Sequence, residues 1–262
     1  QATLFFNSQS DAEKRHIINA LSFELGKVQV DAIRTRVLVL LNEVDKKLAE
    51  SVANALGTNV PKKPEALINQ SFGADADPKK CQPIKVKQSI EKSEALSMAN
   101  TRKDSIKTRQ IAILIADGID EQSVNTMKDS LSADGAVVKL IAPKLGNIKG
   151  AHGGSLKADQ SFLTASSVLF DAVYVPSGST GIKTLLSIQD AVCFIDEAYK
   201  HCKAIAINGE GVELFKETYA SKKFSTTING KEMTALGLII NGSPKEFAKA
   251  IAQHRFWNRE EK

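Results

Sequence analysis

The chain has 262 residues, 42% of them hydrophobic and 25% charged, with a formal net charge of +5. That balance describes a globular protein and excludes a disordered or collagen-like chain. No apolar run reaches the ~20 residues needed to cross a bilayer, and lysines such as Lys46-Lys47 and Lys222-Lys223 are scattered as pairs, so neither a membrane nor nucleic acid is an expected partner.

The opening residues, Gln1-Ala-Thr-Leu-Phe-Phe-Asn7, have no initiator Met and no basic stretch before an apolar one. They do not read as a signal peptide, and the chain is expected to be cut from a longer one, cytoplasmic or secreted according to what precedes it. Residues 8–57 read as helical. Ser10 and Glu13 form a Ser-x-x-Glu capping box, after which Ile17, Leu21 and Leu25 recur every fourth residue. A second helix places Ile33, Val37, Leu40, Leu41, Val44, Leu48 and Val52 on one stripe and stops at Gly57. Two such wide apolar faces cannot bury themselves on each other alone, so a further packing partner is expected. Periodicity then fades over 58–108, where Pro61, Pro64, Pro78 and Pro83 punctuate a Lys-, Ser-, Asn- and Gln-rich stretch that reads as a partly ordered linker.

From Arg109 the pattern changes. Gln110-Ile-Ala-Ile-Leu-Ile-Ala116 reads as a strand, and Gly118-Ile-Asp-Glu121 opens a helix running to Asp134-Gly135. Further strands are expected at 136–142, 171–175, 203–207 and 237–240. Helices fill 179–200 and 211–219, and Ser243-Pro244 caps a last one that ends near Trp257. Strands that are apolar throughout and alternate with helices predict a parallel sheet covered on both faces. Residues 109–262 are therefore expected to form an α/β, flavodoxin-like doubly wound three-layer sandwich.

Four places could carry chemistry. The first is Asn208, where the apolar run Lys203-Ala-Ile-Ala-Ile207 stops abruptly before Gly209 and Gly211. This is the pattern of a sharp strand-to-helix elbow at the carboxyl edge of a sheet. A Cys or Ser there could be deprotonated and attack a carbonyl; Asn cannot. The turn is either a plain strand–helix corner or an anion site at the helix start. The second is Asp117-Gly118-Ile119-Asp120-Glu121, a carboxylate cluster that could serve as a general base or simply favour a helix start. The third, Ala151-His152-Gly153-Gly154, loosely resembles an oxyanion-hole loop but reads better as a mobile one. The fourth is the pair Cys193 and Cys202, of which Cys193, among Ala191, Val192, Phe194 and Ile195, is expected to be a buried structural thiol. Cys81 completes an odd set with no CxxC motif, which fits a reducing compartment or a fold that needs no disulfides. His16, His201 and His254 lack partners at metal-ligand spacing, and no phosphate-binding glycine motif occurs, so neither a metal nor a nucleotide is expected.

Two resemblances meet on these residues. Ile113-Leu-Ile-Ala-Asp-Gly-Ile-Asp-Glu121, Tyr174-Val-Pro-Ser-Gly178 and Ala204-Ile-Ala-Ile-Asn-Gly209 resemble the DJ/intracellular-protease group of the class I amidotransferase-like superfamily. In that family the elbow residue is a catalytic Cys that accepts a hydrogen bond from a Glu. The Cys falls on Asn208, the Glu on Ser123 or else Glu121, and the His that often follows the Cys on Gly209. With the nucleophile replaced, the family's protease, deglycase and amidotransferase activities are not carried over.

Gln1-Ala-Thr-Leu-Phe-Phe-Asn-Ser-Gln9, Glu13-Lys-Arg-His-Ile-Ile-Asn-Ala20 and Phe23-Glu-Leu-Gly-Lys27 are similar to the closing helices of the haem catalase fold. The His254-Arg-Phe-Trp257 ending is also similar to large-subunit catalases, which join those helices by a linker to a degenerate DJ-like domain. The resemblance implies closing helices over 1–57, a linker over 58–108 and a DJ-like domain over 109–262. It implies that haem, its distal His and its proximal Tyr lie upstream, so that this portion holds no cofactor and does not itself dismutate hydrogen peroxide. Its partner would be the core of the parent homotetramer, and the apolar helical faces suggest holdase-like chaperone activity toward unfolded clients. The alternatives are a DJ-type hydrolase or glyoxalase, or a small-ligand sensor at the Asn208 turn.

Overall fold

A computed structural model describes residues 1–64, 66–84, 89–223 and 230–261; the expected linker includes positions 65 and 85–88, which lie outside the described residues. The chain forms two compact units, Gln1–Thr101 and Arg102–Lys262.

The first unit is helical: α1 (Ala2–Ser8), α2 (Asp11–Lys27), α3 (Asp31–Val44) and α4 (Lys46–Ala55). The capping box is present, with Glu13 N–H on Ser10 Oγ (3.4 Å) and Ser10 N–H on Glu13 Oε2 (2.8 Å). The long second helix expected from its single stripe is broken at Asp45, whose extended backbone and side-chain bond to Leu48 N–H (2.8 Å) start α4 afresh. Gly57, at φ 68°, ends α4: Gly57 N–H reaches Asn54 O and Thr58 N–H reaches Ala53 O, the paired bonds of a Schellman stop. The helices share a small core of Phe6, Leu25, Leu38, Leu48, Val52 and Ala53, while Phe23, Val30 and Leu40 stay exposed.

Residues 58–101 contain two short 3-10 turns, Glu94–Leu96 and Met98–Asn100, and their end is hooked to the helices. Glu13 accepts from Ser97 Oγ (2.8 Å) and Met98 N–H (2.7 Å), while Gln9 Nε2 donates to Leu96 O (3.0 Å). Burial alone would raise the pKa of the Glu13 carboxyl, but these donors and Ser10 outweigh it and hold it below the usual carboxylate range.

The second unit is built on a parallel six-stranded sheet in the order β5-β2-β1-β6-β7-β8. Its strands are β1 (Gln110–Leu114), β2 (Val137–Ala142), β5 (Gln160–Ser161), β6 (Ala172–Val175), β7 (Ala204–Ile207) and β8 (Leu238–Ile240). The helices α5 (Glu121–Ala133), α6 (Ser179–Leu186), α7 (Gln189–Lys200), α8 (Gly211–Lys216), α9 (Gly230–Ala235) and α10 (Pro244–Ala252) cover both faces, as the α/β reading requires. All described residues of β6 and β7 are buried, and Tyr174, Phe215 and Phe247 are the largest of the fully buried side chains. Burying each large apolar side chain contributes about 1.5–3 kcal/mol, which makes this core the main source of stability.

Three features depart from the sequence reading. The helix expected over 179–200 is two, α6 and α7, separated at Ser187 and Ile188. The last helix stops at Ala252, and a 3-10 turn covers Trp257–Glu261. Between β2 and β5 the chain makes an antiparallel hairpin, β3 (Gly146–Lys149) with β4 (Ser155–Ala158), whose turn carries His152.

Candidate functional site

β1 lies between β2 and β6, so the connections leave it in opposite directions and open a crevice at the carboxyl edge of the sheet. Three loops meet there: 115–120 after β1, 176–178 after β6 and 208–210 after β7. The close approach depends on Gly178, at φ 121°, where a Cβ would stand 2.5 Å from the Asp120 nitrogen. Gly209, at φ 52°, likewise brings the elbow against Ser177, 2.7 Å from where a Cβ would sit.

Asn208 ends β7, its N–H on Val175 O (2.9 Å) and its carbonyl accepting from Gly211 N–H (3.0 Å). Its side-chain amide lies against the Tyr174 hydroxyl, and its Oδ1 is buried without a hydrogen-bond partner. Tyr174 is fully buried, and its hydroxyl is 2.6 Å from Ser123 Oγ. Burial raises the Tyr174 pKa and the Asp120 charge adds to that, against the Ser123 and Asn208 hydrogen bonds, which lower it. Ser123 and Asn208 are thus brought to the same phenol, whereas Glu121 points elsewhere.

The Glu121 carboxylate clamps the hairpin turn. It accepts from Gly154 N–H (2.9 Å) and from His152 N–H (3.2 Å to each oxygen) and is only 6% exposed. Its own backbone N–H, then those of Gly154 and His152, hold its pKa below the ordinary value. A Cβ on Gly154 would fall 2.8 Å from this side chain, so the glycine is what lets the turn fold over the carboxylate. The Ala151-His152-Gly153-Gly154 stretch, read from the sequence as a mobile loop, is here hydrogen-bonded to Glu121 through His152 and Gly154 and to Ile119 O through Ala151 N–H.

Asp120 Oδ1 caps α5 through Gln122 N–H (3.0 Å) and Ser123 N–H (3.1 Å), and its Oδ2 accepts from Ser177 Oγ (2.9 Å). His152 Nε2 lies 3.8 Å from Asp120 Oδ1. Asp120, Glu121 and His152 bring possible ligand atoms within 4.8 Å of one another, the one such group of three or more among the described residues. Their oxygens already accept from backbone and hydroxyl donors, so the arrangement is a hydrogen-bonded brace.

An acyl-transfer elbow needs two free N–H donors to receive an oxyanion, one from the residue after the nucleophile and one from a neighbouring loop. The corresponding donors here are occupied by the chain itself. Gly209 N–H donates to Asn241 Oδ1 (2.7 Å), and Gly178 N–H donates to Glu210 Oε2 (3.1 Å). The Gly178 contact, with Glu210's own N–H, holds the Glu210 carboxyl below its usual range. Sequence reasoning missed Tyr174, Ser177, Glu210 and Asn241. The signal for Tyr174 was its hydroxyl in an otherwise apolar strand, since a buried phenol needs a partner.

The cysteines stand apart from the crevice. Cys193 is exposed, contrary to the buried thiol expected of it: α7 turns Ala191, Val192, Phe194 and Ile195 inward and leaves position 193 on its outer face, against Gln189 Nε2 (3.4 Å). Cys202 is buried, and burial pushes its thiol up to about 11, which leaves it unreactive. His201 pairs with Glu197 (3.2 Å) and His254 faces Asp171 (4.0 Å).

Comparison with known proteins matches residues 107–261 to the family described as the C-terminal domain found in long catalases. Residues 1–56 match the family described as catalase-related immune-responsive. The chain is 37% identical to catalase HPII of Mycobacterium avium over 267 residues, which cover 99% of this chain and 35% of that protein. It is 34% identical to Catalase-2 of Bacillus subtilis over 262 residues, 99% of this chain and 34% of the relative. With Catalase-B of Dictyostelium discoideum it shares 33% over 268 residues, 100% of this chain and 34% of that protein. The chain thus spans about a third of the length of these relatives. On the match over 107–261, the chain belongs to the family of C-terminal domains found in long catalases.

Proposed function

We propose that this chain is the non-catalytic C-terminal portion of a long catalase and that it stabilises the parent enzyme, whose haem dismutates hydrogen peroxide elsewhere in the protein. The observation that carries the reading is the elbow. Asn208 supplies no nucleophile, and the Gly178 and Gly209 N–H groups are taken by Glu210 and Asn241. In this reading Ser123, Tyr174 and Asn208 are what remains of a DJ-like site turned to packing. The apolar cavity of the helical unit does not suit haem, which needs an axial ligand in the cavity wall. That cavity, about 290 Å³ between Val37, Leu40, Pro64 and Leu67, has no His, Tyr or Cys among the described residues of its lining. No step of the parent reaction is therefore assigned to these residues.

Exposed Phe23, Val30 and Leu40 support a holdase-like role toward unfolded clients or a seat on the parent tetramer's core. Heating a client enzyme with and without this chain tests the holdase role, and equal turbidity refutes it. The stabilising role is tested by heating a long catalase of this family with and without this portion; equal inactivation rates refute it. A second reading, hydrolase or glyoxalase, draws on Ser177, whose hydroxyl lies beside the Asp120 carboxylate (2.9 Å). It requires turnover of methylglyoxal or a small ester by this chain, abolished by Ser177→Ala or Asn208→Ala. A third, small-ligand sensing at the Asn208 turn, rests on the unpartnered Oδ1 and requires a ligand-dependent rise in melting temperature.

A further inference from the structure

The opposite, amino edge of the same sheet gathers several cations around one carboxylate among the described residues. Asp171, which leads into β6, lies within reach of Arg109 (3.5 Å), Arg255 (3.9 Å) and His254 (4.0 Å) and also accepts from Gln110 N–H (2.9 Å). Lys203, leading into β7, is buried and donates to the Ser167 carbonyl and to Ser167 Oγ (3.3 Å). Glu197, the other carboxylate that acts on Lys203, is already paired with Lys200 (3.5 Å) and His201 (3.2 Å). Among the described residues, two guanidinium groups and an ammonium therefore share the Asp171 carboxylate.

The loop that enters β6 adds an apolar surface beside this charge. Phe162 and Phe170 turn inward onto Phe194, with ring centroids 6.4 and 5.8 Å from it, and Ala165 is buried with them. Held by those anchors, the loop presents Leu163 (88% exposed), Val168 (77%) and Leu169 (53%) to solvent. Single exposed apolar residues are ordinary, but Val168 and Leu169 stand side by side directly after Ser167, which receives the Lys203 amine, and so join apolar surface to this charge.

We propose that this edge docks a protein segment that carries carboxylates and large apolar side chains, the former against Arg109 and Arg255 and the latter over Val168 and Leu169. Charge complementarity selects the occupant. The guanidiniums are recessed, with 23% and 18% of their side chains exposed, which suits a carboxylate reaching in more than a flat lipid headgroup layer. The proposal does not depend on the catalase reading, since it rests on the geometry of this edge alone.

The test is fluorescence anisotropy of the whole 262-residue chain with three short peptides: one alternating Leu and Glu, one with Lys for Glu, and one with Ser for Leu. The Leu/Glu peptide binds and the other two do not. Val168→Asp with Leu169→Asp weakens that binding about tenfold or more, the effect of losing a well-placed apolar contact. Both positions are exposed, so the variant keeps the wild-type melting curve; Val168→Asp alone, read the same way, serves if it does not. The proposal is overturned if the wild-type chain does not bind the Leu/Glu peptide, if the Ser peptide binds equally, or if the variants bind unchanged. It is also overturned if the variants instead lose binding to phosphatidylserine–phosphatidylcholine vesicles, or dissociate a dimer of this chain in sedimentation, since the occupant is then a membrane or a second copy.

Discussion

The two edges of one sheet differ in how completely they satisfy themselves. At the carboxyl edge, where open α/β folds place their chemistry, side chains of the chain itself fill the donors: Glu121 on Gly154, Glu210 on Gly178 and Asn241 on Gly209. At the amino edge, buried Lys203 and His254 and the two arginines lean on one carboxylate. In the crevice, the Gly178 and Gly209 donors are held by the chain's own side chains. At the amino edge the charge is shared more thinly, and there the proposed partner would engage it.

The largest effect expected from perturbing this contrast is at Gly178. Gly178→Ala places a Cβ 2.5 Å from the Asp120 nitrogen at φ 121°, a conformation that side chains rarely adopt. It should cost about 3 kcal/mol in chemical denaturation, because backbone cannot give way as a flexible side chain can. A cost below about 1 kcal/mol would mean that the loops around the crevice are not locked together.

The next effect belongs to the amino edge and to pH. Burial, with the charges of Arg255 and Arg109, pulls the His254 pKa down to about 4, so the folded state holds this imidazole neutral. Between about 6.5 and 4 the unfolded chain binds a proton that the folded chain does not. Stability therefore falls as pH drops through that window. His254→Asn, a residue that tolerates the φ of 69° found there, should flatten the loss; an unchanged slope would acquit His254. Lys203 acts above neutrality: burial lowers it to about 8, so stability should rise as pH climbs from there toward 10.5, and Lys203→Met should remove that rise.

Smaller effects return to the crevice. Tyr174→Phe leaves Ser123 Oγ without its partner and should cost ~1 kcal/mol, read from the denaturation midpoint. Asn208→Cys should change stability by less than ~0.5 kcal/mol and confer no steady-state ester hydrolysis, because the two N–H donors stay occupied. Turnover by the single variant would show that the missing thiol was the whole deficit.

Much of this contrast was legible in the residues. The runs over 110–116, 136–142 and 203–207 are apolar enough to name their strands, and the glycines after Ile207 placed the elbow. The hairpin β3–β4 was not legible, because its strands each bury only one or two side chains, Ile148 on one and Leu156 and Ala158 on the other. Cys193 misled for the converse reason: apolar neighbours in sequence say nothing of the face when a helix turns 100° per residue. The break at Asp45 hid inside an unbroken apolar stripe, since a capping side chain outweighs periodicity over one turn. The occupied donors were beyond reach of sequence, because they join residues 32 apart on separate loops.

The clamp formed by Glu210 and Asn241 also has a consequence in time. Amide protons that would trade with water within moments on a bare turn should exchange slowly at Gly178 and Gly209, at a pace set by how often the loops part together. A crevice latched in this way behaves as a rigid joint, its outline kept by its own hydrogen bonds.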